Sequence, residues 1–162
     1  MTRKTKQELI VELLAAVRAN QNATDQMDDA AARGFGVNRT DARCLDIVEQ
    51  FGPITAGRLA ASAGLTTGSV TAVIDRLVAK GYLRRVADPA DRRRVMVELT
   101  DELEELAGRF YGPLAEQAFP FLSRYSNSEI ELIADFMRTS TEIVERRAAE
   151  IRAELAAKKK RS

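Results

Sequence analysis

The sequence predicts a mainly α-helical protein with one small β-hairpin, an α+β fold class. Two patterns lead to this expectation. Apolar residues recur at steps of three and four over long stretches at both ends of the 162-residue chain, as in helices that bury one face. Between these stretches, Val95, Val97 and Leu99 alternate strictly with other residues, as in a strand.

Residues Thr5 to Ala32 are predicted to form one long helix with a heptad-like seam. The seam residues recur at alternating steps of four and three: Leu9, Leu13, Ala16, Asn20, Ala23, Met27 and Ala30. Such a helix cannot bury its stripe alone, so it needs a partner, either elsewhere in the chain or on a second subunit. Gly34 and Gly36 are expected to end it. We therefore assign residues 1–36 to an N-terminal dimerisation helix.

Two shorter helices are predicted next. The first begins with Thr40 as its N-cap and runs to Phe51, where the following Gly-Pro pair stops it. Ile54 is then expected to form a single short strand. Thr55 caps the second short helix, which covers residues 56–63.

After a glycine turn, Thr66 or Thr67 is expected to cap a further helix that ends near Lys80. Its inner stripe is apolar: Val70, Val73, Ile74, Leu77 and Val78. Two strand-like segments follow, at 82–86 and 95–99, and a turn rich in Asp, Pro and Arg joins them.

From Thr100 the chain is predicted to be helical again. Pro113 and Pro120 are expected to kink or interrupt the first of these helices. A capping box of the S-x-x-E kind at residues 126–129 opens the last helix. We assign residues 101–157 to C-terminal helices and residues 158–162 to a disordered basic tail.

Composition excludes several classes of chemistry. The chain has no histidine and one cysteine, so a histidine-based triad, a Cys/His zinc site and an intramolecular disulfide cannot form within it. No spaced carboxylate cluster suggests a metal, and no cofactor is expected. No apolar run approaches the length of a membrane span, and no signal-peptide pattern follows the basic start, so we expect a cytoplasmic protein.

The order of elements over residues 37–100 is that of a winged helix-turn-helix: a short helix, a glycine turn, a second helix and a hairpin. In such a unit the second helix enters the major groove of duplex DNA, with its N-terminal residues towards the bases. Its outer face carries small residues that permit close approach. The residues expected to contact DNA from this helix are Thr66, Thr67, Gly68, Ser69, Thr71, Ala72 and Arg76.

The hairpin concentrates positive charge although the net charge of the chain is only +1. It carries five arginines against two aspartates, Asp88 and Asp91. A protruding arginine suits the narrow minor groove, where the negative potential is enhanced. We expect Asp91 to pair with a neighbouring arginine and to hold the loop in shape. The hairpin residues predicted to contact DNA are Arg84, Arg92, Arg93 and Arg94.

Residues 88–100, DPADRRRVMVELT, resemble the wing signature of MarR-type regulators, roughly D-P-x-D-R-R-x-x-x-L-x-L-T. Val97 stands where that pattern has leucine. The preceding LVAKGYLRR at 77–85 resembles the junction between helix and wing in the same family. The resemblance implies a homodimer with interlocked terminal helices and two winged heads on a roughly palindromic double-stranded DNA site. It also implies Arg93 in the minor groove, supported by Asp91, and a repressor that a small, often aromatic or phenolic, ligand releases from DNA.

Three alternatives remain at this point. A winged helix can serve as a protein-interaction module without binding DNA, although such a module should lack the basic wing. An enzyme is disfavoured because histidine and convergent carboxylates are missing. A redox-sensing regulator would use Cys44, but Cys44 lies beside Leu45 and Val48 and is better explained as a small buried apolar residue.

Overall fold

The computed structural model describes residues 4–159, which form six helices and three strands. This architecture confirms the predicted α+β fold class. In chain order the elements are α1 (Lys6–Phe35), α2 (Arg39–Phe51), β1 (Ile54–Thr55), α3 (Ala56–Ala63), α4 (Thr67–Ala79), β2 (Leu83–Ala87), β3 (Val95–Leu99), α5 (Asp101–Leu122) and α6 (Asn127–Lys159).

The core lies where α2, α3 and α4 pack against a small sheet. The α4 stripe is buried as predicted, with Val70 and Leu77 fully enclosed. Leu59 of α3 and Val48 of α2 meet the same cluster. Burial of side chains of this size contributes about 1.5–3 kcal/mol each, so this cluster holds the three helices in a fixed arrangement.

The sheet is antiparallel, with strand order β1-β3-β2. Strands β2 and β3 form the predicted hairpin, in which Leu83 lies opposite Leu99. The isolated strand expected at Ile54 pairs with Val97 of β3. The base of the hairpin is thereby anchored in the core. Val95, which begins β3 and lies nearer the tip of the hairpin, is 57% exposed.

Helix α2 begins earlier than the sequence predicted. Its N-cap is Asn38 rather than Thr40, and the Asn38 Oδ1 accepts a hydrogen bond of 2.9 Å from the backbone N–H of Asp41. Asn38 is the more favourable N-cap because its side-chain amide also donates to the Asp41 carboxylate at 2.9 Å, so that the two residues are joined by two hydrogen bonds. Thr55 and Thr66 are N-caps as predicted.

Helix α1 ends later than predicted, because Gly34 lies inside it. A Cβ at Gly34 would come within 2.4 Å of Cζ of Phe110 on α5, so glycine allows the two helices to approach closely. The helix ends at Gly36, whose φ of 64° is the left-handed C-cap conformation. Ala31, Ala32 and Phe35 are the buried residues of α1, whereas the predicted seam residue Ala30 is exposed.

The described residues divide into two compact units between Gly112 and Pro113, within α5. Helix α5 continues through Pro113 and Pro120 without interruption. The capping box is confirmed, since Ser126 N donates to Glu129 Oε2 at 2.8 Å and Glu129 N donates to Ser126 Oγ at 3.4 Å.

Helix α6 runs two residues into the segment predicted to be a disordered tail. Lys158 and Lys159 are helical, because the alanine and lysine residues of this segment have high helix propensity. Residues 160–162 of that prediction lie outside the described residues. Between residues 4 and 159, no helix has the length and apolar character needed to cross a membrane.

Candidate nucleic-acid interface

A tight turn joins α3 to α4. Gly64 adopts φ 69° and ψ 31°, a left-handed conformation that closes α3. Two residues later, the Thr66 hydroxyl oxygen accepts a hydrogen bond of 3.2 Å from the backbone N–H of Ser69 and opens α4. The turn therefore fixes the direction of α4 and leaves its first residues, 66–69, exposed.

The outer face of α4 is formed by small side chains, as the sequence predicted. The exposed residues on this face are Thr67, Gly68, Thr71, Ala72 and Asp75. Gly68 has no atom within 4 Å of the place where a Cβ would stand, so nothing within the protein requires glycine there. The open space above Gly68 would allow an external partner to approach the helix backbone closely.

The hydroxyls on this face are already orientated. The Thr71 hydroxyl donates to the Thr67 carbonyl oxygen at 2.9 Å, and the hydroxyls of Thr66 and Ser69 share a hydrogen bond of 2.8 Å. Thr71 is exposed and its hydroxyl proton is already used, so its oxygen can still accept a hydrogen bond, for example from a cytosine amino group.

Two aspartates shape the tip of the wing through the backbone. The Asp88 Oδ1 accepts from the N–H of Ala90 at 2.8 Å, and the Asp91 Oδ1 accepts from the N–H of Arg93 at 3.0 Å. Across the loop, Asp88 N donates to the Arg94 carbonyl at 3.0 Å. The predicted pairing of Asp91 with an arginine side chain is therefore wrong: Asp91 caps a turn, and Asp88 lies 3.8 Å from Arg94 Nε.

The five wing arginines differ in what they contact. Arg84 pairs with Glu98 at 2.6 Å and with Asp101 at 3.4 Å, and Arg94 pairs with Asp88. Among residues 4–159, Arg92 and Arg93 form no ion pair, although both are exposed. Their guanidinium groups are the ones with all donors available for an anion.

Arg85, the remaining arginine, connects the wing to α4. Its Nη2 donates to the carboxylate of Asp75, about one turn after Thr71 on α4. An exposed ion pair of this kind contributes little to stability. The pair nevertheless shows that the side of α4 at Asp75 lies next to the base of the wing.

Arg76, predicted to flank the DNA-contacting face, makes a contact that the sequence did not reveal. Its Nη2 donates to Asp41 Oδ1 at 2.6 Å and its Nε donates to Asp41 Oδ2 at 3.3 Å. Asp41 is the one charged residue that is buried among the described residues, and the hydrogen bond raises the pKa of Arg76. Arg76 therefore joins α4 to α2, and the only sequence signal was an acidic residue three positions after Asn38.

Comparison with known proteins gives a consistent result. The family model described as "MarR family" matches residues 35–94, which cover α2 to the wing tip. An HTH-type transcriptional regulator of Bacillus subtilis, YcgE, is 36% identical over 144 residues, covering 89% of this chain and 94% of its own. The chain belongs to the MarR family of transcriptional regulators.

Further relatives agree with this assignment. The multiple antibiotic resistance protein MarR of Salmonella typhimurium is 32% identical over 66 residues, which are 41% of this chain and 46% of that protein. The solved structure of a MarR family protein from Bacillus stearothermophilus shares the fold, with a TM-score of 0.61, 18% identity and coverage of 88% of this chain and 99% of that one. This MarR-family protein is thus a helix-turn-helix DNA-binding regulator and not an enzyme.

The single cysteine of this regulator is buried. Cys44 has no exposed surface. Burial, with a smaller contribution from the charge of Asp41, raises the pKa of its thiol to about 11. The thiol is protonated at neutral pH, so the structure gives no support to the redox-sensing alternative.

A cavity of about 600 Å³ lies within the first compact unit of this MarR-family protein, walled by α1, α2, β3 and α5. Its lining residues are Asp28, Phe35, Leu45, Asp46, Glu49, Leu99, Leu103, Glu104, Ala107, Gly108 and Tyr111. The volume is that of a small-molecule site. In the part of the chain that the structure describes, no three His, Cys, Asp or Glu residues are grouped to hold a metal ion.

Proposed function

We propose that this MarR-family regulator acts as a homodimeric repressor of a roughly palindromic operator and leaves the operator when a small ligand binds. Helix α4 of each protomer lies in the major groove, with Thr66, Thr67, Gly68, Ser69, Thr71 and Ala72 towards the bases. Arg92 and Arg93 reach the minor groove. The donors of Arg76, Arg84 and Arg94 that their acidic partners leave free contact phosphates, while Asp88 and Asp91 keep the wing in shape.

The observation that carries this proposal is the pair of unpartnered arginines at the wing tip. Three of the five wing arginines are held by Asp75, Asp88 or Glu98. The guanidinium groups of Arg92 and Arg93 form no ion pair with a described residue, so they provide two cations for an external polyanion.

The test is the binding of duplex DNA from upstream of the regulator's own gene, followed by fluorescence anisotropy. Arg93→Ala is expected to weaken binding by about tenfold or more, because a cation placed at the minor groove is lost. The slope of log affinity against log salt should fall by about 2, because the dimer loses one such contact from each protomer.

Arg124→Ala is the matched control, because Arg124 is an exposed arginine in the turn between α5 and α6, outside residues 37–100. It should leave affinity and salt slope unchanged. Equal loss of affinity in both variants would overturn the assignment of Arg93. Absence of any salt-sensitive complex with wild-type protein would overturn the operator proposal and favour a protein-interaction module.

Exposed apolar helix faces support the homodimer. The first turns of α1 expose Leu9, Val11 and Leu14 to 53%, 59% and 60%. In the second unit, taken by itself, α6 exposes Leu132, Val144 and Leu155 to 69%, 59% and 61%. Apolar faces of this extent need a cover, and we assign it to a second copy of the chain, with residues 1–36 and 101–157 as the dimerisation helices.

The cavity walled by α1, α2 and α5 is the proposed effector site. It lies beside α2, which touches both the arm helix α1 and the recognition helix α4. A ligand that fits the cavity better in one arrangement of these helices shifts the population towards that arrangement. Because the operator is chromosomal, we propose the cytoplasm as the place of action.

A further inference from the structure

All the charged residues that line the proposed effector cavity are acidic. Four carboxylates line it from three helices: Asp28 of α1, Asp46 and Glu49 of α2, and Glu104 of α5. No lysine or arginine is among its lining residues. Asp28 is half-buried and the other three are exposed. An anionic ligand would therefore meet four like charges as it entered.

These carboxylates also lack cationic partners. None of the four forms an ion pair with another residue between 4 and 159. Arg39 and Arg43 line a separate, smaller groove together with Asp28 and Asp46. The Arg39 guanidinium lies 3.9–4.0 Å from Asp25 and Asp29 instead. Desolvation, then the charges of Asp28 and Glu49, raise the pKa of Asp46 to about 6, which is the response of a carboxylate without a compensating cation.

The rest of the lining is apolar or aromatic. Phe35, Leu45, Leu99 and Leu103 form apolar walls, and Tyr111 adds a phenol ring. The Tyr111 hydroxyl donates to Asp28 Oδ1 at 3.0 Å. Burial, followed by the bond to Asp28, raises the pKa of Tyr111, so this ring is a neutral phenol at pH 7. Neutral aromatic rings beside carboxylates form a favourable environment for a cation.

We propose that the effector of this regulator is a lipophilic organic cation, with a positively charged nitrogen or phosphorus centre on an aromatic or aliphatic body. The charge is neutralised by the four carboxylates, and the body covers the apolar walls. The inference rests on the proposed function, because it names the ligand class for the proposed effector site.

Helix α2 provides the route from the cavity to DNA. It carries Asp46 and Glu49, which line the cavity, and one turn earlier Asp41, which binds Arg76 of α4. A cation drawn between Glu104 and the α2 carboxylates changes the position of α2, and the Asp41–Arg76 pair transmits that change to the recognition helix.

The direct test uses two xanthene dyes of similar size and opposite charge, with DNA absent. Rhodamine 6G is a cation and fluorescein is an anion at pH 7.5. Fluorescence anisotropy should show saturable binding of rhodamine 6G and at least about tenfold weaker binding of fluorescein. Equal affinity for the two dyes would overturn the proposal. Failure of both rhodamine 6G and the smaller benzyltriethylammonium ion, measured by calorimetry, would also overturn it.

Adjacent glutamates on α5 supply a matched pair of variants. Glu104 lines the cavity and Glu105 does not. Glu104→Gln should weaken rhodamine 6G binding by at least about fivefold, because it removes one charge from the site. Glu105→Gln should leave the dye affinity unchanged. Glu49→Gln tests the opposite wall in the same way, and equal effects at residues 104 and 105 would show that the dye binds elsewhere.

The final measurement separates this inference from the proposed function. Rhodamine 6G should weaken the complex of the wild-type protein with operator DNA. It should weaken the complex of Glu104→Gln less, and this comparison controls for binding of the dye to the DNA. Dye binding without any DNA complex would remove the proposed function alone. A DNA complex that the dye leaves intact would remove the cationic effector alone.

Discussion

At the scale of single residues, the acidic side chains of this protein have three different roles. Asp41 is buried and is satisfied by Arg76 and Asn38. Asp88 and Asp91 are backbone acceptors in the wing. Asp46 has none of these partners and lies beside other carboxylates. The environment, rather than the residue type, decides which of these roles a carboxylate has.

The environment of Asp46 predicts how stability depends on pH. Its pKa is about 6 in the folded protein, above its ordinary value of 3.8, so between these values the folded state binds more protons than the unfolded state. The contribution of the Asp46 carboxyl group to the free energy of unfolding is therefore lost as pH rises from about 4 to about 6. The titratable and charged groups that face this carboxyl group come from two places. The cavity contributes Asp28 of α1, Glu49 of α2, and Glu104 and Tyr111 of α5. The smaller groove contributes Arg39 and Arg43.

Asp46→Asn should be more stable than the wild type at pH 7.5, and this advantage should shrink at pH 4. Thermal unfolding at the two pH values provides the measurement. Glu105→Gln is the control for neutralising a carboxylate outside the cavity and should show no such pH-dependent difference. An Asp46→Asn advantage of the same size at both pH values would contradict the raised pKa.

At the scale of elements, α4 combines a fully buried inner face with an outer face that nothing in the described protein covers. Val70, Val73, Ile74 and Leu77 fix the helix in the core, which leaves the outer residues free to be chosen for a partner. Asp75 and Arg76 tie the two edges of the helix to the wing and to α2. Helix α4 therefore has contacts on its inner face and at both edges, while its outer face is open.

The open outer face of α4 leads to a prediction at Gly68. Gly68→Leu should leave thermal stability unchanged or slightly higher, because the position is open and glycine is a poor helix former. The same change should weaken specific DNA binding by about tenfold or more, since a bulky side chain holds the helix away from the bases. Glycine at position 57 of α3, also without neighbours, provides the matched control Gly57→Leu. Full DNA affinity in Gly68→Leu would contradict the placement of α4 in the groove.

At the scale of the whole molecule, the assembly is decided by the helices that leave apolar faces exposed. The seam residues Leu9 and Leu13 of α1 are 53% and 46% exposed. The double variant Leu9→Asp with Leu13→Asp should dissociate the proposed dimer, because two carboxylates would have to be buried at the interface. Sedimentation equilibrium measures the mass of the assembly. Gln7→Asp, an exposed change on the same helix, should keep the dimer, and a wild-type monomer would refute the dimer proposal.

The sequence by itself determined the element order, the strand pairing in the hairpin and the inner face of α4. These features depend on local information: helical periodicity at 70–78, strict alternation at 95–99 and glycine at residue 64. The wing motif at 88–100 was specific enough to indicate the family. Its arginines could be counted, but which of them were free could not be predicted.

Only the tertiary structure decided the partners that are distant in the chain. The contact between Asp41 and Arg76 spans 35 positions, and Tyr111 reaches Asp28 across 83. Neither pair leaves a periodic signal, because each depends on how helices pack rather than on spacing within one helix. For the same reason the cavity carboxylates could not be recognised beforehand: they come from three helices and share a site only once α1, α2 and α5 are packed together.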